Sequence, residues 1–256
     1  MLQQTQTSRV IEPWRRFMAS FPTPSACATA PLADVLVAWA GLGFHRRAKF
    51  LHQSAQAIVE MFGGEVPRRV EDLLTLPGVG PYTANAIASF AFGEATAVVD
   101  TNVGRVLARY VANAAIDART AQNYAERVVP AKESARFNQA LLDVGAQFCA
   151  RTPRCADCPL RRDCRWYQEG GADPAPGSAG VSKPQSRFEG SDRQLRGRVL
   201  AQLRSGETSV LTMRALLEGW DPERSQRVLT SLQSDGLITK ERGRWTLGST
   251  SPVKVR

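Results

Sequence analysis

Four of the five cysteines, Cys149, Cys155, Cys158 and Cys164, fall in one short segment with intervals of five, two and five residues. Clustered thiols in a chain with a polar N-terminus (Met1 to Arg9) belong to a reducing compartment, where they hold metal more often than they form disulfides. Four thiolates in one segment can enclose an iron–sulfur cubane. A zinc ribbon uses two separated C-x-x-C knuckles, whereas this chain has one knuckle with a single Cys on each side; a cluster is therefore expected, with zinc or an empty loop as the alternatives. Cys27 stands alone, and two histidines, His45 and His52, disfavour a histidine-based metal site. Arg151, Arg154, Arg161, Arg162 and Arg165 crowd the cysteine loop, where they serve solubility or a phosphate backbone.

Two further motifs could act on a polyanion or a reacting centre. In Leu76-Pro77-Gly78-Val79-Gly80-Pro81-Tyr82-Thr83-Ala84, one helix ends and another begins around two glycines. Such glycines are expected to take backbone angles closed to other residues, so that amides at the next helix start can face one phosphate. The plain alternative is a tight turn between helices. In Val98-Val99-Asp100-Thr101-Asn102-Val103, Asp100 sits where a helix cap belongs.

These motifs lie among helices. Apolar residues recur at helical spacing in Val10–Phe21, Leu32–Trp39, Phe50–Phe62, Val70–Leu76, Thr83–Phe92, Val103–Val111, Ala121–Val129 and Phe137–Phe148. Pro31 and Pro67 suit first-turn positions and Gly63–Gly64 a helix stop. No stretch alternates with a two-residue period, so this part is expected to be all-α. From 168 to 190 the composition turns to Gly, Pro, Ser and Ala, a flexible linker by composition. A smaller unit over 191–248 follows: a helix capped by Ser191, a second helix, a third begun by Asp221–Pro222 and stopped at Gly236, then a hairpin around Glu241–Arg242–Gly243. That order describes a winged helix. Lys and Arg number 33 against 24 Asp and Glu, a net charge of +9 that suits a polyanionic partner. No apolar run reaches membrane-spanning length, and a cytoplasmic, nucleoid-associated location is expected.

With these motifs the chain resembles the helix-hairpin-helix, iron–sulfur DNA glycosylases, most closely the MutY-type adenine DNA glycosylases. The resemblance covers Met1 to about Trp166. It implies an all-α, two-lobed fold, with residues 1–167 as the glycosylase core, a 4Fe–4S cluster on the loop 149–164, and the winged helix as an addition. It implies hydrolysis of the N-glycosidic bond of adenine mispaired with 8-oxoguanine or guanine, in double-stranded DNA, by a monomer. Asp100 matches the catalytic carboxylate that stabilises the oxocarbenium-like sugar, with Tyr82 and Asn102 near that sugar. Gly78, Val79 and Gly80 match the DNA-binding hairpin. Met1-Leu2-Gln3-Gln4-Thr5-Gln6 matches the segment in which Gln4 wedges beside the oxidised guanine, with Leu2 and Thr5 close by. Gly41-Leu42-Gly43-Phe44-His45 aligns with the family's G-L-G-Y-Y, so Phe44 and His45 replace two tyrosines at the DNA.

The endonuclease III relatives carry a Schiff-base lysine where this chain has Tyr82, so a monofunctional enzyme is expected. The family's first cysteine interval is six residues rather than five. Its general-acid Glu lies two residues before the Met that is Met1 here, so impaired activity and an upstream start are expected. The family's MutT-like tail is replaced by the winged helix. Two other functions stay open: a thymine–guanine mismatch glycosylase and a non-catalytic iron–sulfur DNA-binding regulator.

Overall fold

The computed structural model describes residues 1–2, 5–178 and 187–248. Its helices are α1 (Thr7–Ser20), α2 (Pro24–Thr29), α3 (Leu32–Ala38), α4 (Arg46–Phe62), α5 (Val70–Leu73), α6 (Pro81–Phe92), α7 (Thr101–Leu107), α8 (Ala118–Val128), α9 (Ser134–Gln147) and α10 (Arg165–Glu169). A single π-helical turn, Ala108–Ala112, continues α7. The C-terminal part follows as α11 (Asp192–Arg204), β1 (Thr208–Ser209), α12 (Val210–Leu216), α13 (Pro222–Ser234), β2 (Ile238–Glu241) and β3 (Arg244–Leu247).

Each expected helical segment is present. The short α2 was not expected from periodicity, since six residues carry too little of it; Thr23 caps it by accepting the Ala26 N–H. Two proline assignments are corrected: Pro31 is the capping residue before α3, and Pro67 lies ahead of α5 rather than in its first turn. Gly63 does end α4, in the left-handed conformation that a residue with a side chain resists. Among the described residues no helix is long and apolar enough to cross a membrane.

The chain divides into two compact units. The first comprises Met1–Pro67, Leu76–Gly78 and the C-terminal residues 187–248. Here the tail has the expected winged-helix order: Ser191 and Asp221 cap α11 and α13, and β2 pairs antiparallel with β3. A short extra strand, β1, pairs with the other edge of β3, giving the order β1-β3-β2. The tail does not keep a core of its own. Leu195, Val199, Leu200, Leu203, Leu232 and Trp245 form one buried cluster with Val10, Phe17, Val35, Leu36 and Trp39. Asp235 adds polar ties: its carboxylate takes Arg196 at 2.7 Å and Arg46 at 3.4 Å, and its carbonyl accepts Lys49 Nζ at 2.6 Å.

The second unit comprises Arg68–Thr75 and residues 79–178, around a core of Ala97, Val103, Leu107, Ala108, Ile116, Ala121 and Ala125. It also fastens part of the stretch expected as linker. Asp173 pairs with the buried Arg109, Ala175 is 1% exposed, and the Ser178 hydroxyl accepts the Ile116 N–H. Composition alone cannot reveal such ties, because the partners lie some sixty residues away. Residues 179–186 of that stretch lie outside the described residues.

Candidate active site and cysteine loop

The hairpin connects α5 to α6 through Leu76–Gly80. Gly78 has φ +75°, and a β-carbon there would stand 2.6 Å from Phe50 Cβ, so both conformation and space demand glycine. Ser54 Oγ donates to the Pro77 carbonyl at 2.7 Å and holds the turn. Gly80 corrects the expectation: its φ of −98° and ψ of 178° are open to any residue, and a β-carbon there meets nothing within 4 Å. Its lack of a side chain therefore leaves free space outside the protein. Gly80 is also the N-cap of α6, and no side chain caps that helix. Pro81 opens α6, and Tyr82 follows it, 40% exposed.

Asp100 caps α7. Its Oδ1 accepts the N–H groups of Asn102 and Val103 at 2.7 and 2.8 Å, and its Oδ2 accepts Asn102 Nδ2 at 2.7 Å. The capping and chemical readings of Asp100 are thus compatible, because the cap fixes the carboxylate at the helix start. Partial burial, then the negative charge of Asp100, push the Tyr82 phenol above its usual pKa. Tyr82, Asp100 and Asn102 are therefore brought together, as their motifs anticipate.

A further set of groups supports this trio. Arg105 donates to Asn102 Oδ1 at 2.6 Å and to the carbonyls of Cys149 and Gly145 at 2.9 and 3.1 Å. Gly145 of α9 lies against Asn102 so closely that a β-carbon would sit 2.7 Å from its backbone oxygen. One turn after Arg105, the buried Arg109 grips Asp173 with two hydrogen bonds of 2.8 and 2.6 Å. It also donates to the carbonyl and Sγ of Cys149 and to the Ala150 carbonyl, and it stacks on Trp166. Burial disfavours the Arg109 charge, but Asp173 and Cys149 outweigh it, and the pKa rises.

All four loop cysteines are free thiols, and together they line one cavity of about 30 Å³ with Arg109, Arg161, Phe148, Pro153, Trp166 and Tyr167. Burial pushes the Cys149 thiol up, against the opposing pull of Arg109; burial and the neighbouring Cys164 and Cys158 do the same to Cys155. Among the described residues, no three His, Cys, Asp or Glu side chains converge as ligands of one metal ion would.

In the first unit, Leu2 is 60% exposed, and the turn before α4 presents Phe44, 42% exposed. Gly41, Gly43 and Phe44 have φ of +87°, +66° and +47°, and Trp39 Nε1 donates to the Gly43 carbonyl at 2.9 Å. His45 is held at a pKa of about 4 by burial, then by Arg204, Arg196 and Arg47. Gln4 lies outside the described residues.

Residues 1–131 match the HhH-GPD superfamily of base excision DNA repair proteins. An adenine DNA glycosylase of Mycolicibacterium smegmatis is 44% identical over 244 residues, covering 93% of this chain and 81% of the relative. The chain belongs to the HhH-GPD superfamily, among its adenine DNA glycosylases. A thermostable thymine-DNA glycosylase structure is similar with a TM-score of 0.60 and 30% identity, covering 66% of this chain and 80% of that one. A non-covalent endonuclease III–DNA complex is similar with a TM-score of 0.56 and 27% identity, covering 65% and 79%. Within this HhH-GPD protein, the residues that sequence reasoning missed are Arg105, Arg109 and Gly145. Their only local signal is two arginines four apart on one face of α7 and its π-turn.

Proposed function

We propose that the chain excises adenine mispaired with 8-oxoguanine or guanine from duplex DNA, as a monofunctional glycosylase. The observation that carries this reading is the capped Asp100 carboxylate, bonded to Asn102 and close enough to Tyr82 to perturb its phenol. A fixed carboxylate can stabilise positive charge on a sugar whose base has been flipped out of the stack. The C1′–N9 bond breaks with its electron pair moving to adenine, which takes a proton; water adds at C1′ and releases one. Tyr82 and Asn102 bound the sugar, and Asn102 holds the carboxylate in place. A phenol at position 82 forms no imine, which supports hydrolysis without strand cleavage by a lysine.

The empty space at Gly80 and the uncapped start of α6 support a phosphate contact there, with Gly78 and Val79 shaping the turn. Leu2, Thr5 and Phe44 are read as the DNA-facing residues of the first unit. Cys149, Cys155, Cys158 and Cys164 would hold a 4Fe–4S cluster, a group typical of the family, whose contribution when bound is to brace the loop. Arg105 links that loop to Asn102, and Arg109 ties it to Asp173.

The test is single-turnover release of free base from duplexes holding A opposite 8-oxoguanine, A opposite G, and T opposite G. Adenine release abolished by Asp100→Asn is the expected result. Thymine release alone would favour the mismatch enzyme, and tight duplex binding without release of either base would favour the non-catalytic reading.

A further inference from the structure

Where the tail meets α4, positive charges gather around a single carboxylate. Arg196 of α11 donates to Asp235 Oδ2 and to Ser231 Oγ, each at 2.7 Å. Arg46, at the start of α4, meets Asp235 Oδ1 through Nε at 3.4 Å, and Lys49 donates to the Asp235 carbonyl at 2.6 Å. Arg204 stands two turns beyond Arg196 on α11. Among the described residues no carboxylate or carbonyl takes its guanidinium, although partial burial pushes its pKa down. The carboxylates nearest in sequence to these α11 arginines are engaged elsewhere: Asp192 with Arg224 and Arg227, Glu207 with Arg244. Arg47 is also here, donating to the Met1 and Leu42 carbonyls and to Thr5 Oγ1.

Four cations against one carboxylate repel one another, and they are stabilised when an anion joins them. The arrangement leaves donors for it. Arg46 uses only Nε on Asp235 and is 63% exposed, so its two terminal nitrogens stay open as the fork that takes two oxygens of a phosphate. Arg204 brings a second, uncommitted guanidinium. His45, buried and pressed by Arg204, Arg196 and Arg47, stays neutral above pH ~4 and keeps one ring N–H to donate. It is also the N-cap of α4, whose start carries the positive end of the helix dipole and no side-chain cap. The cations are strung along two helices rather than closed around a point, which suits the repeating charge of a nucleic-acid backbone.

We propose that Arg46, Arg196 and Arg204 form a phosphate-binding site at the seam between the tail and α4, and that it takes a backbone phosphate of duplex DNA. The tail thereby adds affinity without reading sequence, through α11 rather than through the outer face of α13. The inference rests on the duplex partner of the proposed function and is independent of which base is released.

The test measures Kd of the full chain for short undamaged duplexes of several sequences across a salt series. Arg204→Gln gives up no polar contact within the protein. It is expected to weaken binding about 3- to 10-fold and to lower the slope of log Kd against log salt by about one, alike on every sequence. Its single-turnover base release at saturating enzyme should keep the wild-type rate. Asp235→Asn removes the one opposing carboxylate and should tighten binding, a gain that a purely structural role for these residues would not produce. Arg15→Gln, which removes an exposed charge from α1, is the control and should change Kd by less than about twofold. Unchanged affinity and slope in Arg204→Gln overturn the site while leaving the duplex partner standing. Wild-type protein with no affinity for duplex overturns both. Inorganic phosphate is the second arm. If it raises the Tm of wild type but not of Arg204→Gln, and the two share one duplex Kd, the site serves free phosphate and the DNA assignment fails.

Discussion

Gly145 is buried in α9, where a β-carbon would stand 2.7 Å from both Cβ and the backbone oxygen of Asn102, and 2.8 Å from its carbonyl carbon. Ordinary contact begins near 3.4 Å, so in Gly145→Ala the start of α7 must retreat by about 0.7 Å. Backbone cannot swing aside as a flexible side chain can, and Asn102 carries Asp100 with it through two hydrogen bonds. Overpacking of this kind costs about 1–3 kcal/mol, and the better helix propensity of alanine returns about 0.5–1 kcal/mol. The net loss of about 1–2 kcal/mol lowers Tm by only a few degrees in a protein of this size. Activity should suffer more, because a shift of roughly 1 Å at a reacting group can cost about 100-fold. The expected result is a folded protein whose single-turnover base release is slowed about 10- to 100-fold. Gly197→Ala is the control: it lies inside α11 with nothing within 4 Å of its β-carbon, so it should add about 0.5–1 kcal/mol of stability and leave the rate alone. A Gly145→Ala enzyme working within twofold of wild type would refute the claim that Asn102 backbone position controls the chemistry.

The two hairpin glycines should separate cleanly. Gly78→Ala is expected to destabilise by about 1–3 kcal/mol in urea unfolding through strain and overlap with Phe50; Gly80→Ala should fold normally yet weaken duplex binding on all sequences alike, and an effect confined to particular sequences would count against a phosphate contact. His45 should make the first unit acid-sensitive: with its pKa near 4 when folded against about 6.5 unfolded, the unfolded chain takes up the proton first, so stability is complete above pH ~6.5 and is lost as pH falls towards 4. Its partial exposure limits the loss between pH 7.5 and 5 to about 1–2 kcal/mol, and urea midpoints that keep the same pH slope in His45→Asn would remove His45 as the cause. Borohydride should fail to trap the chain on abasic DNA, and efficient trapping that survives replacement of Lys49 would show another amine forming the imine. Purified anaerobically, the protein should be brown with broad absorbance near ~400 nm, lost in Cys158→Ser; a colourless protein with stoichiometric zinc would overturn the cluster.

What could be read from the sequence by itself was local in origin. Apolar residues recurring every three or four positions set the helices, and caps such as Asp100, Ser191 and Asp221 act on amides two or three residues away. The spacing of four cysteines, and two glycines inside a hairpin motif, likewise need no distant partner to be recognised. Tertiary structure decided everything whose partner is remote. It joined the tail to the N-terminal helices in one core, since Leu195 or Trp245 shows only that it is apolar, not which surface it will cover. It separated Gly78, crowded by Phe50, from Gly80, which has open space. It turned three arginines that composition counts only as charge into a link from the cysteine loop to Asn102, an anchor for Asp173 and a clasp on Met1 and Thr5. A guanidinium has no preferred partner within its own helical turn, so its role is set by which carbonyls and carboxylates the folded chain carries to within 3 Å of it.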